Sequence, residues 1–96
     1  MAGKRFNKGK PRWSLVHYKS IEPLVRVLEF GAKKYGIDNW KKGLKEDEIL
    51  DSAFRHIIAM MDGEYKDAES GLSHAGHVIA NMMFYQYYKD NGDNNP

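Results

Sequence analysis

The 96-residue chain contains no cysteine, which excludes a disulfide framework, zinc–thiolate sites and thiol catalysis together. It has no apolar run near the roughly 20 residues that span a bilayer. Its basic start is not followed by an apolar stretch, so no secretory signal is expected and the expected setting is cytoplasmic. Acids are missing from residues 1–12, which carry Lys4, Arg5, Lys8, Lys10 and Arg12. The rest holds 10 bases against 13 acids, a mildly acidic balance that does not suit a nucleic-acid surface. No Ser-His-Asp order, phosphate-binding loop or Gly-rich dinucleotide fingerprint is present.

What is present is a soluble, globular composition, 42% hydrophobic and 29% charged, in a length that suits one small domain. A domain of this size buries only about 60–65% of its unfolded surface. Residues 1–9 read as a basic flexible arm, 10–88 as a single helical domain and 89–96 as a flexible tail.

The periodicity predicts three helices. The first runs from about Ser20, a plausible N-cap, to Tyr35, with Gly36 as its stop. Ile21, Leu24, Val25, Leu28, Ala32 and Tyr35 give it one apolar face. The second starts near Glu46-Asp47-Glu48 and ends by Gly63. Its main stripe is Leu50, Ala53, Phe54, Ile57, Ile58 and Met61, with Ile49, His56 and Met60 on the opposite side. The third, from about Ser73 to Tyr88, is apolar around nearly its whole circumference. Such helices need covering on several sides, which one short chain can hardly supply. The expected fold is therefore all-α: a small bundle of three main helices with an extended basic N-terminal arm, completed by homo-oligomerisation. Pro11–Tyr18 reads as either a short strand or an extended arm.

Several side chains could carry chemistry. His74, His77 and Asn81 stand at i, i+3 and i+7, within about 60° of one another on the third helix. Two imidazoles and an amide on one stripe can bind a metal, grip phosphate oxygens or read a base edge, or form a polar seam between subunits. Asp51 and Arg55 are one turn apart, as a plain ion pair or as an Arg fixed to meet a phosphate bidentately. Trp40, in a polar loop, is either a core anchor or a pocket wall. The connection after the second helix carries Asp62, Glu64, Asp67 and Glu69. Lys66 and Asp67 fall where an EF-hand needs an oxygen ligand and Gly, which leaves a magnesium site or a solvated acidic loop.

The strings KPRWSLV, VLEFGAKKYGIDNWKKG, DSAFRH and DGEYKDAESGLSHAGHVIANMMF resemble a family of small, mostly bacteriophage dATP/dGTP diphosphohydrolase-like domains, over residues 10–86. The resemblance implies cleavage of a purine deoxynucleoside triphosphate to monophosphate and pyrophosphate, in an infected host cell. It points to Lys33, Lys34, Asn39, Trp40, Asp51, Arg55, His56, Glu64, Asp67, Glu69, His74 and Asn81, with Arg12, Trp13 and His77 as further ligand-binding candidates. Lys33, Lys34 and Arg55 would neutralise phosphate charge, and Trp40 with a tyrosine would stack on the purine. Asp51, Glu64, Asp67 and Glu69 would hold Mg²⁺ or Mn²⁺, with Asp51 and Glu64 as the catalytic acids. MazG-like pyrophosphohydrolases use paired carboxylates where this chain has His74 and His77, and imidazole suits hard Mg²⁺ poorly. The alternative is a non-catalytic oligomer that sequesters a cyclic dinucleotide or a cyclic ADP-ribose-like signal and needs no metal. The expected partners are a purine nucleotide or nucleotide-derived signal and further copies of the chain, with no membrane and no nucleic acid.

Overall fold

The computed structural model describes residues 3–92. Three helices carry the fold: α1 (Tyr18–Tyr35), α2 (Glu46–Met61) and α3 (His74–Asp90). Single 3-10 turns occupy Trp13–Leu15 and Asn39–Lys42. Among the described residues there is no strand, only an isolated antiparallel bridge between Lys66 and Ser73. The all-α, three-helix architecture expected from the periodicity is the one observed. No helix among the described residues is long and apolar enough to cross a membrane.

The helix ends differ from the expected ones in informative ways. α1 begins at Tyr18, with His17 in the capping position. Ser20 lies inside the first turn, where its hydroxyl meets His17 Nδ1 at 2.7 Å. The segment Pro11–Tyr18 is neither strand nor fully extended, since Trp13–Leu15 closes a helical turn. α3 continues through Lys89 and Asp90, into the stretch expected to be tail. Residues 1–2 of the expected arm and 93–96 of the expected tail lie outside the described residues.

Each stop has a local cause. Gly36, at φ +100°, ends α1 while its N–H still reaches the Ala32 carbonyl at 2.8 Å. α2 ends in a Schellman motif: Gly63 at φ +86° donates to Met60, and Glu64 donates to Ala59. α3 is opened by Ser73, whose hydroxyl accepts the Gly76 N–H at 3.2 Å.

α3 is the central element. α2 packs against it antiparallel, so Glu46 pairs with Lys89, Ser52 with Asn81, and His56 with His74. α1 also packs on α3, with Pro23 close against Gly76, while Lys34 near its C-terminal end reaches Glu69 in the loop ahead of α3. The buried apolar set is small: Val27, Ile49, Ala53, Ala80 and Tyr88. α2 turns Ile49 and Ala53 inward, while its longer stripe of Leu50, Phe54, Ile58 and Met61 stays exposed.

Candidate functional site

The site is assembled where the end of α2, the following loop and the start of α3 meet. The Schellman turn at Gly63 reverses the chain and sets Glu64 beside α3, with Oε2 3.5 Å from His74 Nε2. The loop then closes on itself: Asp67 donates to the Leu72 carbonyl, Gly71 donates to that of Asp67, and His74 donates to that of Tyr65. Inside this loop the Asp67 carboxylate accepts the Ser70 N–H at 2.8 Å. The spacing of the third helix does the rest, placing His74, His77 and Asn81 on the side that faces α2.

Three imidazoles are thereby gathered. His56 Nδ1 and His74 Nδ1 lie 2.8 Å apart. His56 and His77 are stacked, 4.4 Å between centroids and 5° from parallel. His77 Nε2 meets Ser70 Oγ at 2.7 Å, and Ser70 Oγ also accepts the Leu72 N–H. His74 is only 4% exposed, and its Nε2 has no hydrogen-bond partner. A ligand atom from each of His56, Asp67 and His74 falls within 4.8 Å of the others. Asn81, also buried, donates to Ser52 Oγ and to the His77 carbonyl.

The electrostatics follow from this crowding. Burial pushes His56 below the ordinary imidazole value, and the neighbouring His77 and His74 push it the same way, against the pull of Asp67. Burial lowers His77 as well, opposed by Asp67 and Glu69. The Ser70 backbone N–H holds Asp67 below its usual range, although partial burial works the other way. Burial thus favours the neutral forms of His56 and His77, while the Ser70 N–H favours the ionised form of the Asp67 carboxylate beside them.

Two cavities open here. A polar one of about 370 Å³ is lined by Arg55, His56, Asp67, Glu69 and His74 among others. An apolar one of about 720 Å³ lies along α1 and α3, with Leu28, Ala32, Asn39, Trp40, Ala80 and Phe84 in its walls. Phe30, Ser52 and His77 line both, so the two adjoin.

The residues singled out from sequence sort as follows. Arg55, His56, Asp67, Glu69, His74 and His77 come together around the polar cavity, with Glu64 against His74. Asn39, Trp40 and Asn81 line the apolar one, which His77 shares. Lys34 stands at the rim, its ammonium donating to Glu69 at 2.7 Å. Arg12, Trp13, Lys33 and Asp51 line neither cavity, and Trp13 is 74% exposed. Asp51 and Arg55, one turn apart, form no ion pair among the described residues, which leaves the guanidinium unclaimed by that carboxylate. Trp40 serves both uses considered for it: it is braced by Phe84 at 4.8 Å and edge-on by Tyr87 at 4.9 Å while forming cavity wall. Sequence reasoning passed over Ser70, Ser52 and Phe30. Ser70 had a signal, as the third residue after Asp67 in a Gly-terminated turn.

The apolar and polar cavities adjoin, with a guanidinium, imidazoles and acids at the polar end. The chain belongs to the family described as dATP/dGTP diphosphohydrolase, N-terminal, whose model matches residues 1–95. It is 37% identical over 91 residues to a dATP/dGTP diphosphohydrolase of Salmonella phage PMBT28. The alignment covers 95% of this chain but 31% of that protein, so the chain spans less than a third of its relative's length. No solved structure matches the chain.

Proposed function

We propose that this domain binds a purine deoxynucleoside triphosphate and, with a divalent metal ion, takes part in its cleavage to monophosphate and pyrophosphate. The observation that carries this reading is the adjoining of the two cavities at Phe30, Ser52 and His77. The apolar cavity, with its aromatic wall of Trp40 and Phe84, has room for a base and sugar. Asn39 and Asn81 offer amides that can bond base edges. Triphosphate extending past His77 would reach Arg55, whose guanidinium can bind two phosphate oxygens at once. Lys34, now held by Glu69, is close enough to exchange that carboxylate for phosphate. The activity named for the phage relative supports the same substrate class.

The test is incubation of the purified chain with dATP or dGTP and Mg²⁺ or Mn²⁺, followed by a pyrophosphate assay. Release of pyrophosphate is the expected result. Nucleotide held tightly and recovered intact would instead make the domain a nucleotide-holding module.

The exposed stripe of α2 supports a second copy as its cover. Phe54 is 62% and Met61 80% exposed, and Leu50 and Ile58 share their stripe. Sedimentation should give a dimer or larger assembly, and Phe54→Lys should shift it towards monomer. A monomeric parent chain at micromolar concentration would contradict this.

A further inference from the structure

We propose that His56, Asp67 and His74 form a binding site for one divalent transition-metal ion, of the Mn²⁺, Co²⁺, Ni²⁺ or Zn²⁺ kind and not Mg²⁺ or Ca²⁺, with Glu64 orienting His74. The proposal names the ion of the pocket described above, and depends on the nucleotide reading only for what the ion would do there.

The geometry carries it. Donor atoms of the three side chains lie within 4.8 Å of one another. Two imidazole nitrogens 2.8 Å apart, His56 Nδ1 and His74 Nδ1, either share a single proton or turn lone pairs towards a common cation. Metal–nitrogen bonds of about 2.0–2.1 Å put neighbouring donors roughly 3 Å apart, so little movement is needed to admit an ion.

The other nitrogen of His74 is the second, independent sign. It is buried, lacks a hydrogen-bond partner, and looks at Glu64 Oε2 across 3.5 Å. A metal-bound histidine ordinarily gives its remaining N–H to a carboxylate, which fixes its tautomer and raises its basicity. An ion on Nδ1 places that proton on Nε2, opposite Glu64, and so satisfies the orphaned atom. Asp67 is held in place by Ser70, and the His56 ring by its stack on His77.

The donor set selects the ion. Two imidazoles with one carboxylate suit borderline transition metals, whereas Mg²⁺ and Ca²⁺ take oxygen donors. Three protein ligands leave coordination positions open for water or phosphate, on the side where Arg55 and Glu69 line the cavity.

The test uses the tag-free 96-residue chain, stripped with chelator and titrated with Co²⁺, Zn²⁺, Mn²⁺ and Mg²⁺ without nucleotide. Expected are one Co²⁺ per chain with visible ligand-field bands, its displacement by Zn²⁺, and no competition from Mg²⁺ at equal concentration. Glu64, half-exposed, can be changed without emptying the core, and Glu64→Gln should weaken the ion roughly 10–100-fold. Asp67→Asn keeps an acceptor for Ser70 and should weaken it at least as much. The parent chain's melting temperature should rise with Zn²⁺ but not with Mg²⁺. Absence of stoichiometric Co²⁺ uptake, or unchanged uptake by Asp67→Asn, would overturn the site. A chain that takes up Co²⁺ but no dATP overturns the nucleotide reading and leaves the metal site standing. One that binds dATP in chelator yet never takes up an ion does the reverse.

Discussion

The Tyr88 hydroxyl donates to the Trp40 carbonyl at 2.6 Å and accepts the Gly43 N–H at 2.9 Å, tying the 3-10 turn after α1 to the end of α3. Tyr88 is only 4% exposed, so both backbone groups depend on it in a place where water replaces it poorly. Removing the hydroxyl leaves a part-buried donor and acceptor without their partner, at a cost of about 1–3 kcal/mol. Tyr88→Phe is expected to lower the unfolding free energy by that amount in a denaturant titration. Nucleotide affinity should fall as well, because Trp40 is cavity wall.

The α1–α3 crossing rests on a glycine. A Cβ on Gly76 would stand 2.7 Å from the Pro23 carbonyl oxygen, and the three nearest atoms, all of Pro23, are backbone or ring atoms that cannot swing aside. Gly76→Ala should cost about 1–3 kcal/mol, the range for overpacking a close contact. Because His74 and His77 flank Gly76, Co²⁺ uptake should weaken in the same variant. Gly31→Ala, at a helical position with open space around it, is the control and should be neutral to stabilising.

Acid should loosen the metal-free chain in a defined window. His56 and His77 sit below the ordinary value of 6.5 in the folded state, chiefly through burial. The unfolded chain therefore binds more protons just below that value, so their contribution is present above pH 6.5 and is lost as pH falls. The charges facing them are Asp67 and Glu69, which oppose the shift, and His74 and Arg55, which add to it. Asp67 is itself lowered from 3.8, so its own contribution disappears only further down. Thermal melts in chelator between pH 7.5 and 5.5 should show a falling midpoint, and His56→Gln should flatten part of the slope.

Arg55 is exposed, forms no ion pair among the described residues and lines the polar cavity. Arg55→Ala should leave the melting temperature within about 1 °C while weakening dATP roughly 10–100-fold, as expected for lost charge-assisted hydrogen bonds. Unchanged affinity would remove Arg55 from phosphate binding. Lys34→Ala should act more mildly, since Glu69 already holds that ammonium.

The helices were legible because apolar spacing and glycine stops act locally. Gly36 and Gly63 end α1 and α2 where a left-handed residue is needed. The site was legible in part for the same reason, since His74, His77 and Asn81 share a stripe whatever the stripe faces. What sequence could not give was the pairing across helices. Nothing in the spacing says that His56, read as lying opposite the main stripe of α2, meets His74 head-on, or that Asp67 joins them. Asp51, grouped with the acids, lies outside the cavity lining because α2 presents Ser52, Arg55 and His56 there instead. The outward turn of the Phe54 stripe was equally hidden, because an apolar face does not announce whether its cover comes from within the chain.

Calorimetric titration of the tag-free chain with dATP, dGTP, dCTP and dTTP in Mn²⁺ tests most directly whether this fold holds purine deoxynucleoside triphosphates, as proposed. One saturable site per chain is expected, with both purines favoured over both pyrimidines by 10-fold or more, about 1.4 kcal/mol. No measurable heat with any of the four, or equal affinity for purines and pyrimidines, would contradict it.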